Sequence, residues 1–321
     1  MDLIPIIQSN PDLSFIQTPQ YYPIKKRGSL EVAFSLHQHI FNKHICRGLS
    51  IKGAAFVTGT NVLMRYKDLC SIGGFDESCL TEDLSTSFQL HSRNFKSLYY
   101  DSVYAEGIVP PTLRAYYSQQ LRWAFGTTQH LKVLMSQLIQ EPRSLSYSQW
   151  IEYFLNDMWY LLSVGFIMSY YLIPILFFLD FELIQIKISQ IFGVGMLIMI
   201  LCQIITCTKE RDFFIKDIVF SQAIFCMMNI AYVRGVLKAL TKKKMVFFVT
   251  PKLPIHCRND HRRLYIEMLL YFSIPLVIGL YIIISNLGSH FSTFFLIWLF
   301  NGGFIFICLM HLYRSEVYET G

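Results

Sequence analysis

Charge is what this sequence has least of. Only 16% of its 321 residues are Asp, Glu, Lys or Arg, against about 25% in an ordinary soluble domain. Hydrophobic residues make up 53% and the mean hydropathy is +0.38, which excludes both a disordered chain and a wholly soluble one. The eight cysteines form no C-x-x-C pair and several sit in apolar runs, which argues against a zinc site or a disulfide framework. No apolar signal region opens the chain, because Met1-Asp2-Leu3-Ile4-Pro5 is too short and too polar. The first domain is therefore expected on the cytoplasmic side. The net charge of +6 is scattered through loops without the basic stripe that tracks nucleic acid, so anionic lipid headgroups are the expected neighbours.

What is present divides into two parts. Residues 1–112 alternate short apolar runs with Gly, Pro and Asn/Asp punctuation, the pattern of a mixed α/β domain. Strands are expected at Phe15-Ile16 and from Ala54 to Leu63, helices from Leu30 to Ile45 and from Asp83 to His91, and Glu106 should end a strand. Residues 113–155 follow as interfacial helices, and residues 156–312 as the transmembrane region. Its runs 158–179, 188–207, 268–287 and 291–310 contain no charged residue. At about 1.5 Å per residue each covers about 30 Å, the hydrocarbon core of a bilayer, so four transmembrane helices are expected, with 313–321 as a cytoplasmic tail.

A fifth run, Ile218 to Val233, is shorter and carries Ser221, Gln222 and Asn229. Loop charge decides how it lies. If it is flat, the following segment with Lys238, Lys242, Lys243, Lys244, Lys252, Arg258, Arg262 and Arg263 stays cytoplasmic, and Lys187 is the remaining outer cation, as the positive-inside rule expects. Helix 218–238 is accordingly expected in the interface.

Three patterns carry chemistry. Thr81-Glu82-Asp83 follows the turn Gly73-Gly74-Phe75-Asp76-Glu77 and opens an apolar-periodic helix. A carboxylate there, beside orphan backbone N–H groups, stays ionised near neutral pH and suits a general base; a plain N-terminal capping arrangement is the alternative. Gln119-Gln120-Leu121-Arg122-Trp123 lies on a helix from about Leu113 to Met135. Gln119, Arg122, Trp123 and Gly126 are expected on one face and Tyr117, Leu121, Ala124, Thr128 and Leu131 on the other. A guanidinium grips a diphosphate and an indole stacks on a sugar ring, although an Arg-Trp pair of a membrane's aromatic belt has the same composition. In Phe247-Phe248-Val249-Thr250-Pro251-Lys252, Pro251 and Pro254 preclude a regular helix, so Thr250 and Lys252 sit on a loop, 245–262, at the membrane surface; a solvated linker is the alternative.

In this order the motifs resemble the cellulose-synthase-like, membrane-embedded family 2 glycosyltransferases, which elongate β-linked polysaccharides from UDP-sugars and export them. The likeness runs from Phe15 to Gln129 through Gln17-Thr18-Pro19-Gln20, Phe56-Val57-Thr58-Gly59-Thr60-Asn61, the T-E-D triplet and Q-x-x-R-W, and returns at F-x-V-T-x-K from Phe247 to Lys252. The fold implied is the C-terminal part of a GT-A domain, followed by interfacial helices and four transmembrane helices. Carried over by residue, the resemblance implies that Asp83, with Thr81 and Glu82, deprotonates the acceptor hydroxyl. Trp123 would stack on the acceptor sugar, with Gln119 and Arg122 near the diphosphate. Gly59 and Thr60 would flank the acceptor terminus, and Thr250 with Lys252 would close over the nucleotide. The reaction would be an inverting displacement at the cell membrane, by a multi-pass protein with a cytoplasmic catalytic domain.

The resemblance also implies a divalent metal, Mg²⁺ or Mn²⁺, bound by a D-x-D motif. No D-x-D precedes Gln17, so no metal ligand is expected among these residues, and the chain is expected to be part of a longer enzyme, inactive alone. Two other functions stay open: a non-processive transferase acting on a lipid acceptor, and a membrane transporter with a soluble appendage. Against the transporter, the four spans carry no charge. They offer Trp159, Tyr160, Tyr170, Tyr171, Trp298 and Asn301, a lining for neutral sugar. Of His37, His39 and His44, the first and last share a helix face and the second does not, which argues against a metal site.

Overall fold

The structure, a computed structural model, describes residues 2–24, 30–179, 214–241, 258–285 and 293–317, with isolated positions between 187 and 205. Helix α1 (Leu3–Ser9) leads into strand β1 (Leu13–Gln17), and β2 (Gln20–Tyr21) precedes α2 (Leu30–Ile40). A π-helical turn (Phe41–Ile45) joins α2 to α3 (Cys46–Ile51). Then come β3 (Val62–Met64), α4 (Tyr66–Ser71), α5 (Glu82–Ser92), β4 (Lys96–Tyr99), β5 (Ala105–Glu106) and α6 (Leu113–Gln140). The long apolar helices are α7 (Tyr147–Phe178), α8 (Ile215–Leu240), α9 (Arg258–Ser285) and α10 (Thr293–Val317).

All five residues of β1 are buried, because it is the central strand of the order β3-β1-β4. It runs antiparallel to β3, pairing Ile16 with Leu63, and parallel to β4, pairing Ile16 with Leu98. Strand β5 ends at Glu106, as expected, and pairs with β2. The strand expected from Ala54 to Leu63 is reduced to β3. Ala54, Ala55 and Val57 are buried, but side chains take the ladder's place: Val57 N–H donates to Ser87 Oγ (2.8 Å) and Thr58 N–H to Gln17 Oε1 (3.0 Å).

Helix α6 is the hub. Thr112 caps it, its hydroxyl accepting from Ala115 N–H at 3.2 Å, and Glu316 of α10 accepts from Leu113 N–H at 2.9 Å. On one side it lies against α8 so closely that a Cβ on Gly235 would stand 2.7 Å from Leu121 O and 2.8 Å from Ala124 Cβ. Tyr117, Leu121 and Ala124 of the expected second face thus dock on α8, with Tyr117 Oη accepting from Arg234 (3.0 Å), whereas Leu131 packs with Leu84, Phe88 and Tyr153. On the other side, fully buried His130 and Asp157 meet at 2.8 Å and tie α6 to α7. Phe88 of α5 stacks edge-on against both His130 and Tyr153, and the Tyr153 hydroxyl meets His91 Nδ1 at 2.8 Å. Helix α5 is therefore seated in the angle between α6 and α7.

Three stretches of described helix are long and apolar enough to cross a membrane: Tyr147–Leu176, Ile215–Leu240 and Arg262–Ser285. They differ in surroundings. The apolar windows of the first and third are 28% buried and so present most of their surface outward, whereas that of Ile215–Leu240 is 67% buried within the protein. Length and composition alone thus allow α8 to span, and its neighbours α2, α6 and α7 cover most of it. Most of the run 188–207 lies outside the described residues.

Candidate functional site

Asp83 lies in the first turn of α5, and Leu84 N–H donates to its Oδ1 at 2.8 Å. Thr81 occupies the N-cap position, but its side chain makes no capping bond, so the simple capping arrangement is not formed. Burial pushes the Asp83 carboxyl up to about 6 and the neighbouring Glu82 charge adds to this, against the Leu84 N–H bond and the Arg122 charge. Burial lowers the Arg122 pKa, and the charges of Glu82 and Asp83 work against that shift. A carboxylate with a proton affinity near neutrality can take a proton from a hydroxyl and release it again.

The triplet is placed by α6. Gly126 forms a notch in which Thr81 rests, so that a Cβ there would meet Thr81 Cγ2 at 2.6 Å and Thr81 N at 2.8 Å. Cys79 Sγ donates to Gly126 O (3.4 Å), and Leu80 N–H donates to Gln129 Oε1 (3.2 Å). From the opposite side comes the segment Thr58 to Asn61. Gly59 has φ +76°, a conformation that side chains rarely adopt, and a Cβ on it would stand 3.0 Å from Asp83 Oδ2. That loop is held by Gln17, which is buried. Its Nε2 donates to Thr18 O and to Thr60 O, each at 2.8 Å, while its Oε1 accepts from Thr58 N–H.

Asp83 opens onto a cavity of about 350 Å³. Thr60, Thr81, Asp83 and Trp123 all line it, which brings together four of the residues predicted from sequence. Gly59, Glu82, Gln119 and Arg122 stand behind this rim and outside the lining. Thr250 and Lys252 lie outside the described residues. The face of α6 that reaches the cavity is Tyr116-Gln120-Trp123-Thr127, which corrects the expected grouping. Gln119 and Arg122 do not line the cavity and Gly126 is occupied by Thr81, so Trp123 alone of the expected face lines the space.

The far wall comes from the helices. Asn156, Trp159 and Tyr160 of α7 and Phe225 and Tyr232 of α8 line it, with Tyr22 and the π-helical turn opposite. Trp159 and Tyr160 thus take the lining place expected of them. Tyr170 and Trp298 do not: they stack on each other at 5.4 Å in the helix core. Tyr171 bonds Tyr271 O (2.7 Å) and Asn301 is absent from the lining. His37 is bridged by Tyr116 Oη and Ser221 Oγ, each at 2.9 Å, and burial lowers its pKa to about 4, so it is a neutral wall residue.

Sequence reasoning missed Gln120, Thr127 and the role of Gln17. The position of Gln17 in Gln17-Thr18-Pro19-Gln20 was the one available signal. Among the described residues, no three His, Cys, Asp or Glu side chains come together to hold a metal ion. Asp76, the other acid near the triplet, accepts from Ser85 Oγ and from Ser78 N–H (3.0 Å). Among the described residues these acids do not form a metal site.

The family model described as glycosyl transferase family group 2 matches residues 1–310. The cellulose synthase 1 catalytic subunit (UDP-forming) of Komagataeibacter xylinus is 25% identical over 129 residues, 39% of this chain and 17% of that protein. The corresponding subunit of Komagataeibacter sucrofermentans is 26% identical over 125 residues, 38% of this chain and 16% of that protein. Poly-beta-1,6-N-acetyl-D-glucosamine synthase of Staphylococcus aureus is 30% identical over 83 residues, 26% of this chain and 20% of its own length. The matched segment therefore spans a fifth or less of each of these relatives.

Proposed function

This chain belongs to glycosyl transferase family group 2, and on that premise we propose that it polymerises a β-linked polysaccharide from a UDP-sugar and passes the product across a membrane. The observation that carries the reading is the placement of Asp83: a partly buried carboxyl that desolvation raises to about 6, facing a cavity that Trp123 shares and that aromatic rings of α7 and α8 continue.

In this reading Asp83 takes the proton of the acceptor hydroxyl as that oxygen attacks the anomeric carbon, and UDP leaves from the opposite side with inversion. Trp123 offers its ring face to the acceptor. Arg122, and Gln119 beside it, serve the diphosphate, and Thr250 with Lys252 close over the nucleotide. Glu82 and Thr81 hold the charge and angle of Asp83. Four spans, with α8 lying in the interface, keep the α/β part and the segment 245–262 on one side, the cytoplasmic side of a multi-pass cell-membrane protein. The relatives named as cellulose and poly-N-acetylglucosamine synthases support the polymer product.

The test is incorporation of labelled sugar from UDP-glucose and UDP-N-acetylglucosamine by the intact enzyme that contains this sequence, in lipid nanodiscs with Mg²⁺ or Mn²⁺ supplied, since the chain by itself is expected to be inactive. High-molecular-weight product that a β-glycosidase digests is expected from the wild type and not from Asp83→Asn. Products confined to one or two sugars on lipid would replace the proposal with a non-processive transferase.

A further inference from the structure

Gln120 is 5% exposed, yet its side chain lines the cavity and finds no hydrogen-bond partner among the described residues. Its amide atoms are open to the cavity and not sealed in the interior, so their hydrogen-bond partners come from whatever fills that space. It stands on the same face of α6 as Trp123, one turn away, and Thr127 follows at the next turn. The wall opposite supplies further amides, Gln38 and Asn42, from α2 and the π-helical turn. Asp83 is the only Asp, Glu, Lys or Arg among the described lining residues.

Resting on the polysaccharide reading above, we propose that Gln120 is a specificity-determining residue that hydrogen-bonds an uncharged sugar unit of the acceptor inside this cavity. An amide can donate to one sugar oxygen and accept from a neighbouring hydroxyl, the pairing that a hexose or N-acetylhexosamine offers. A uronate unit would bring a second carboxylate into the space that holds Asp83, with no described cation lining it. Trp123 and the rings of α7 and α8 supply apolar faces against which a neutral pyranose stacks. Gln120 lies within Q-x-x-R-W but at one of its unspecified positions, and motif reading alone passes over it.

Trp123 and Trp159 both line the cavity, so indole fluorescence reports its filling. The chain in nanodiscs is titrated with a β-linked glucose tetrasaccharide and with a tetrasaccharide of equal length containing glucuronate. Saturable quenching by the neutral sugar, at least about tenfold tighter than by the uronate, is expected. Gln120→Leu should weaken the neutral sugar about tenfold, the equivalent of one hydrogen bond, while Gln120→Asn, which keeps the amide, retains part of the affinity. Melting midpoints identify a variant that has failed to fold, and Gln120→Asn then carries the comparison. Equal binding of both sugars, or unchanged affinity in folded Gln120→Leu and Gln120→Asn, overturns the proposal and leaves the polymerase reading standing. Absence of binding by either sugar overturns both.

Discussion

A Cβ on Gly59 would stand 3.0 Å from Asp83 Oδ2, so the carboxyl is approached by bare backbone across a gap that holds no side chain. The φ of +76° at Gly59 adds a second reason for glycine. Gly59→Ala is expected to cost about 1–3 kcal/mol through backbone strain and to displace the carboxyl. Turnover should fall by more than the loss of melting midpoint explains; equal turnover per folded molecule would show that the gap has no role.

Asp83→Asn separates activity from stability. Loss of a general base costs about 10²- to 10⁴-fold, and the activity of the wild type should decline as pH falls through about 6. Stability moves the other way. With its pKa raised from 3.8 to about 6, the folded state holds the Asp83 proton more tightly than the unfolded chain. The stability contributed is full below the unfolded value and is lost as pH rises to about 6. Asp83→Asn should therefore melt higher than the wild type at pH 7.5, by about 2 to 3 kcal/mol at most, with the advantage shrinking towards pH 4. Chemical denaturation at the two pH values measures it.

Gly126→Ala tests the notch. An alanine in the middle of a helix ordinarily gains about 1 kcal/mol over glycine, yet here its Cβ would meet the backbone nitrogen of Thr81 at 2.8 Å. Helical content by circular dichroism should be unchanged, while the melting midpoint and turnover both fall. A midpoint above the wild type's would mean that Thr81 does not rest on α6.

Gln17→Leu removes the brace of the Thr58 to Asn61 segment. Thr58 N–H and Thr60 O lose their partner, and buried groups left unpaired cost about 1–3 kcal/mol each. The expected outcome is a loss of about 2 kcal/mol in denaturation and faster amide exchange at Thr58, which native-state hydrogen exchange reads directly.

Much of the molecule was legible locally. Thr81-Glu82-Asp83 opens a helix because its acids sit where α5 leaves N–H groups unpaired, and Leu113 to about Met135 reads as one helix because apolar residues recur at its period, which the structure carries on to Gln140. The apolar run from Ala54 to Val57 misled for a physical reason: buried apolar residues describe any extended chain in an interior, whether or not it joins a sheet. Ser87 and Gln17, rather than a neighbouring strand, receive its N–H groups. The expected face of α6 was right on its α8 side, where Leu121 and Ala124 pack, and wrong at the site. Helical geometry ranks angles around an axis, and it does not say that Thr81 fills the sector at Gly126.

The sequence by itself determined the class of the protein, the order of its motifs and the apolar runs, since these depend on residue type and spacing along one chain. Only the tertiary structure decided that Asp83 is desolvated at the rim of a cavity, that Gln120 faces that cavity and that Gln17 braces the loop beside it. Those outcomes depend on which distant segment excludes water from each group, and desolvation is a property of the neighbours a residue acquires on folding.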